Sequence, residues 1–408
     1  MELQLSQLFE DAGWMTYASL PFMAALIGWA TNWLAIKMTF YPLHFQGVSP
    51  ILGWQGVIPR KAEKMASVVV ERTINRFGNM DDVFRKLEPE KITKHIISQI
   101  EPRIEEYIDE IMYERQAVLW DNLPYTVKRK VYQWAHNQIP RRIEGLVAEF
   151  GSELSSLIDV KELFVEELKK NPGLMVRIFQ EVGGREFSFI VKSGLLFGLL
   201  FGLVQIPIWL QNSEFWMLPL FGFVVGFATN WLALNVIFRP LYPRSFFGFN
   251  VQGLFLKRQD EVSDVWSRLL AEELITVERA AHTMVFGRHA DRTRAIIQKH
   301  IRPMLDQAGI LKVVAQLTVG ASGYVELKRA LNDKAVQVSV EPFHDESFNK
   351  SRSGVVAAVM SDRMRALSPA EFQDVLRPAF QEEEFQLMLI GGVLGALTGV
   401  VQWMLMFS

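Results

Sequence analysis

GWATNWLAIKMTFYPL, Gly28 to Leu43, is written into this chain twice. The second copy, GFATNWLALNVIFRPL, runs from Gly226 to Leu241. Aligned from Leu20 against Leu218, a constant shift of 198, the copies agree at 12 of 24 positions: Leu-Pro, Gly, Ala-Thr-Asn-Trp-Leu-Ala, Phe and Pro-Leu. Agreement that dense marks an internal duplication, so the chain reads as two related halves. Outward from the motif, Gln55-Gly56 matches Gln252-Gly253 and Arg60-Lys61 matches Lys257-Arg258. Each half closes on a glycine-spaced helix: Gly194, Gly198 and Gly202 before Gln205, then Gly391, Gly395 and Gly399 before Gln402.

The motif sits in long apolar segments. A positive mean hydropathy and 29 Phe, 11 Trp and 16 Met move the expectation toward a membrane. Tyr17 to Phe40, Gly194 to Leu210, Phe215 to Phe238 and Leu387 to Phe407 are each apolar over about the 20 residues that cross a bilayer core. These windows predict an all-α membrane protein with four transmembrane helices, at 17–40, 187–210, 215–238 and 387–407. They form a tandem parallel repeat of two hairpins, each enclosing a helical domain, 62–184 and 259–383, on the cytoplasmic face. Residues 1–16 read as an amphipathic lead-in with no basic n-region, and 41–61 and 239–258, rich in Gly, Pro and aromatics, as irregular interfacial loops.

Charge sets the expected orientation. Residues 1–16, the connector Gln211 to Glu214 and Ser408 carry no Lys or Arg. The opposite membrane ends carry Arg60, Lys61, Lys64, Arg185, Lys192, Arg239, Arg244, Lys257 and Arg258. Basic residues mark the cytoplasmic side, which places both long segments inside and both termini outside. The absence of cysteine excludes disulfides and thiolate metal sites and fits either compartment.

The two long segments read as helical. In the first, Ala66, Val70, Ile74 and Phe77 share a stripe, as do Ile97, Ile100, Ile104, Tyr107, Ile108 and Ile111. Asn122-Leu123-Pro124, Pro140 and Pro172-Gly173 divide it into about five helices. The second follows the same plan less regularly, with a short strand expected at Ala335 to Val340 and a loop at His344 to Arg352. Apolar grooves between such helices suit a protein partner, a second copy or a lipid.

Chemistry-bearing residues are few. Gly28, Asn32 and Ala35 fall on one helix face, as do Gly226, Asn230 and Ala233. Small, polar, small is what close packing with an interhelical hydrogen bond requires, so Thr31-Asn32 and Thr229-Asn230 read as clamps, with the six glycines of the closing helices as the partner surface. The same residues, joined by Lys37, could instead converge on a polar site near the bilayer centre, as in transporters built from repeats. Lys37 also lies one turn from the helix end, from which it can snorkel to headgroups. Arg60, Lys61, Lys64, Lys257 and Arg258 are candidates for anionic headgroups, each worth about 1 kcal/mol of attraction. The seven His are scattered without HExxH spacing, and no Walker loop, GxGxxG after a strand or GxSxG occurs. No metal, cofactor, nucleic-acid partner or catalytic constellation is therefore expected.

The GxxTNxLAIKM pattern, the Phe-x-Pro-Leu after it and the glycine helix ending in Gln resemble the bacterial membrane-protein family known as domain of unknown function 445, the YheB-like proteins, over essentially the whole chain. The resemblance implies a multi-pass protein of the bacterial inner membrane, with Thr31-Asn32 and Thr229-Asn230 as its paired motifs, and implies no activity. The function expected is non-enzymatic, membrane-organising or lipid-interacting. The alternative is a transporter of a small or amphiphilic solute at the paired Thr-Asn helices, and a membrane-bound enzyme stands third.

Overall fold

The computed structural model describes residues 14–48, 52–77, 80–211, 214–246, 248–307 and 310–406. Helix α1 (Trp14–Phe40) leads to a small antiparallel hairpin, β1 (Gln46–Val48) with β2 (Leu52–Trp54), and then to α2 (Val57–Phe77). Next come α3 (Met80–Lys86), α4 (Pro89–Ile100), α5 (Ile104–Asn122), α6 (Tyr125–Leu157), α7 (Val160–Lys170) and the 40-residue α8 (Pro172–Gln211). Helix α9 (Met217–Phe238) opens the second half, followed by β3 (Arg244–Phe246) with β4 (Phe249–Val251), α10 (Leu254–Lys257) and α11 (Gln259–Glu273). The chain finishes with α12 (Val277–Phe286), α13 (Ala290–Asp306), α14 (Ile310–Val338), α15 (Glu346–Arg365), α16 (Pro369–Leu376) and α17 (Pro378–Met406). The amphipathic lead-in expected at 1–16 lies outside the described residues up to 13, and α1 has already begun at Trp14. Pro21 lies inside α1.

Several expectations need correction. The supposed irregular loops 41–61 and 239–258 each hold a two-stranded hairpin, and helix resumes at Val57 and Leu254. Side chains fasten these turns: Gln55 Nε2 donates to Leu43 O at 2.8 Å, and Gln252 Nε2 to Leu241 O at 3.0 Å. Gly56 and Gly253 sit against the ends of α1 and α9 so closely that a Cβ on either would come within 2.7 Å of backbone atoms there. The strand expected at Ala335 to Val340 is helical through Val338, because Leu331, Ala335 and Val338 continue the inward stripe of α14. Of the loop expected at His344 to Arg352, His344 closes a 3₁₀ turn (Glu341–His344) and the part from Glu346 on is the start of α15. The Asp345 carboxylate accepts from the backbone N–H groups of Ser347 (2.9 Å) and Phe348 (3.1 Å), which caps that helix. Pro140 does not end a helix either; α6 runs through it for 33 residues.

The contacts divide the chain into two compact units that each draw on both halves. One comprises 1–73, 165–266 and 363–408, the other 74–164 and 267–362. The second unit thus draws on both of the long segments 62–184 and 259–383. Their amphipathic helices share one core, in which Leu154 and Leu157 meet Met284 and Ile296.

The first unit contains four helical stretches long and apolar enough to cross a membrane: Ser19–Phe40, Pro172–Trp209, Met217–Phe238 and Glu384–Met404. Within it α1 lies along α8 and α9 along α17, with further packing of α9 on α8 and of α17 on α1. Leu20, Trp209, Met217 and Leu218 form a buried cluster. The outer faces stay apolar, with Phe22 71%, Leu26 54%, Leu200 50%, Val224 47% and Leu397 58% exposed. An exposed apolar surface of this kind is what a bilayer-crossing helix presents to hydrocarbon.

Candidate functional site

The paired motif is resolved into two helix clamps. Asn32 is fully buried and its Nδ2 donates to Ile190 O of α8 at 2.9 Å; Asn230, also fully buried, donates to Leu387 O of α17 at 3.2 Å. Each acceptor lies one turn before a glycine, Gly194 or Gly391, and those glycines make room for the amide. A Cβ at Gly194 would come within 2.6 Å of Asn32 Nδ2, and one at Gly391 would collide with Asn230 Nδ2. Gly28 and Gly226 face the same two positions across the contact, backbone against backbone. Gly198, Gly202, Gly395 and Gly399 continue the close approach along α8 and α17. Thr31 Oγ1 donates to Ile27 O (2.8 Å) and Thr229 Oγ1 to Gly226 O (3.3 Å), so both hydroxyls are spent on their own helices.

Among the described residues the space between the motifs is small. The space between α1, α8, α9 and α17, lined by Thr31, Gln205 and Gln402 among apolar residues, amounts to about 20 Å³, room for one water. Asn32 Oδ1 and Asn230 Oδ1 are buried without a hydrogen-bond partner. Lys37 stands apart from both: it is exposed, with Nζ 4.9 Å from the centroid of the Trp33 ring.

The basic residues split into two kinds. Arg60 is exposed and donates to Gln386 Oε1 at 3.3 Å; Lys64 and Lys257 are exposed and Lys61 half-buried. Arg258 is committed elsewhere. Its guanidinium pairs with Glu186 at 2.6 Å and with Glu261 at 3.0 Å, and Arg185 also binds Glu261. With Glu186 only 5% exposed, this ion pair belongs to the protein interior rather than to a headgroup site. Glu384, part of an acidic run that reads as a solvated flank, is likewise held by Arg377 at 3.1 Å.

A second space lies among the described residues of the second unit. A cavity of about 250 Å³ opens between α4, α5 and α6 on one side and α12, α13 and α14 on the other. Ile100, Ile104, Tyr107, Ile108 and Ile111, read from the sequence as a core stripe, form one wall, and Ile96 rather than Ile97 extends it. Ile139, Ile143, Val147, Phe150 and Leu154 line it along α6, and Thr293, Ile297, Ile301 and Met304 along α13. Both series recur at three- and four-residue spacing, so the cavity follows helix faces for several turns.

Only five of the lining residues carry a polar side chain, and four of those are occupied. Tyr107 Oη donates to Glu341 Oε2 at 2.8 Å; burial first, and that carboxylate second, push its phenol above the ordinary value. Lys334 pairs with Glu110, Ser339 Oγ donates to Val336 O, and Thr276 Oγ1 caps α12 by accepting from Arg279 N. The fifth, Thr293, is fully buried and its hydroxyl has no partner. Sequence reasoning found the apolar stripes but not the void between them, and it passed over Thr293.

Among the described residues no cluster of three or more His, Asp or Glu could hold a metal ion. The arrangement is that of a helical protein with four helices long and apolar enough to cross a membrane and, in a separate unit, a chamber suited to a hydrocarbon guest. Comparisons with protein-family models, with curated proteins and with solved structures gave no match.

Proposed function

We propose that this is a multi-pass membrane protein that handles lipid, holding the apolar chain of an amphiphile in the cavity of its helical unit. The carrying observation is the cavity itself, about 250 Å³ with an almost wholly apolar wall. Left uncovered, such a wall is unfavourable by about 0.8 kcal/mol for each CH₂ that a guest chain could otherwise bury. Apolar cavities do not fill with water, and voids of about 150 Å³ already take up benzene-sized guests. A bound chain removes the penalty.

The membrane part of the proposal is a tandem duplication, two hairpins entering from the same face, with the helical unit cytoplasmic and the termini outside. Identities at a constant shift, the paired Asn-to-carbonyl clamps and the hairpins after α1 and α9 support it. The distribution of Lys and Arg supports the orientation, and Arg60, Lys61, Lys64 and Lys257 remain the headgroup candidates. Kinship with the YheB-like family, in the bacterial inner membrane, fits the same picture. The transporter alternative is weaker, because its polar residues are used in helix contacts around a space of about 20 Å³.

The test is native mass spectrometry of protein extracted without delipidation, followed by organic extraction and identification of what is released. The expected result is about one chain-bearing molecule per protein, lost on extraction with a fall in melting temperature. A protein that purifies empty, and that no lipid stabilises, would refute the proposal.

A further inference from the structure

Two glutamines sit where the four long apolar helices of the first unit meet. Gln205 of α8 and Gln402 of α17 hold equivalent places, each three residues after the last glycine of its stripe, Gly202 or Gly399. They are 3% and 4% exposed, and both line the space of about 20 Å³ between α1, α8, α9 and α17, together with Thr31. The Gln205 amide has no hydrogen-bond partner among the described residues. Asn32 Oδ1 and Asn230 Oδ1 are sealed among protein atoms, whereas the oxygen and nitrogen of Gln205 both stay within reach of a water-sized group.

An unpaired amide in an apolar bundle is unfavourable by the desolvation of a donor and an acceptor together. Leucine would fill the same place without that cost, yet an amide stands there in both halves. The space matches one water, which needs about 10–15 Å³ and two to four polar partners. Gln205, Gln402 and Thr31 are neutral and offer donors as well as acceptors, which suits water better than a bare cation. Thr31 Oγ1, having donated to Ile27 O, keeps acceptor capacity of its own.

We infer that the four-helix bundle of the first unit holds one ordered water, bonded to the Gln205 amide and bridging it to Gln402. It is a polar link between the α1–α8 pair and the α9–α17 pair, each of which has its own Asn clamp. The site shares no residue with the cavity of the second unit and is independent of the lipid-handling reading.

One experiment irradiates the full chain in detergent micelles with X-ray pulses and maps oxidation by mass spectrometry, because a bound water converted to hydroxyl radical marks the side chains around it. Leu218 and Val225 line the space at 1% and 6% exposure, too buried for radicals from bulk solvent. Both should be oxidised in the native chain, and several-fold less in Gln205→Met. Absence of oxidation at both in the native chain would overturn the inference.

Stability supplies the sign. Met keeps the length and helix propensity of Gln but not its hydrogen bonds. Gln205→Met and Gln402→Met should each lower the folding equilibrium constant about threefold in SDS titrations, the usual worth of one hydrogen bond between membrane helices. The double variant should be little worse than either single one, because the bridge is lost at the first substitution. A Gln205→Met chain more stable than the native one, as a dry site relieved of an unpaired amide would be, overturns the inference; so do additive losses, which mean no bridge. Melting that rises with NaCl but not with choline chloride, in the native chain and not in Gln205→Met, would overturn it in favour of a sodium ion.

Discussion

Filling the cavity from the protein side separates a binding chamber from a packing accident. Ala280 of α12 and Ala335 of α14 both line it and are half-buried, and Leu at each adds three carbons with only a small loss of helix propensity. Six carbons at about 0.8 kcal/mol each give an upper bound near 5 kcal/mol, and imperfect fit commonly takes back 1–3. A net gain of about 3 kcal/mol remains, which for a unit of this size raises the melting temperature by about 6–12 °C. The double variant Ala280→Leu, Ala335→Leu, compared with delipidated native protein by scanning calorimetry, should therefore melt higher. It should also release no lipid in mass spectrometry and gain nothing from added 1-octanol. A variant that melts lower yet still carries lipid would show that the chamber is elsewhere.

The remaining predictions concern the clamps, the charges and the topology. Gly194→Leu or Gly391→Leu should break the α1–α8 or α9–α17 contact and destabilise the membrane unit in detergent titrations far more than Asn32→Leu or Asn230→Leu. The Asn variants lose one hydrogen bond, worth about 0.6–1.7 kcal/mol in lipid. Arg258→Gln leaves Glu186 buried without its partner and should destabilise strongly; Glu186→Gln with Arg258→Gln should recover part of the loss, and an additive double variant would refute the pairing. The Glu149 carboxylate is held below its ordinary value by Lys299 first and His300 second. Because its folded value is depressed, the stability it adds is full above about 4.5 and is lost as pH falls through the lower folded value. Glu149→Gln should flatten that acid limb in pH-dependent melts. Reporters placed after Gln211 and at both termini should all be active outside the cell, and opposite faces would end the two-hairpin proposal.

The four helices long and apolar enough to cross a membrane were legible because apolar length shows directly in the sequence, and the Asn-glycine clamps because small and polar residues recur at helical spacing. The hairpins after Phe40 and Phe238 were not, since three-residue strands carry no periodicity and depend on the side chains of Gln55 and Gln252 for their footing. The strand expected near Ala335 failed because local composition cannot reveal a long-range face; Val338 points at a cavity built by residues about 200 positions away. Arg258 illustrates the same limit. It reads as a surface charge, and only the fold brings Glu186 to it. Thr293 was invisible because a lone threonine on an amphipathic helix is ordinary until its neighbours are known.

The interleaving of residues 74–164 with 267–362 has a consequence for biosynthesis. When Phe164 leaves the ribosome, α4, α5 and α6 have one another but still lack the packing that α12, α13 and α14 supply, and about 200 further residues must be made before Asp362 is in place. At about 5–20 residues per second that is a wait of roughly 10–40 s. A nascent chain with so much greasy surface uncovered next to a bilayer needs a chaperone, a passing lipid or the membrane surface itself as a temporary cover.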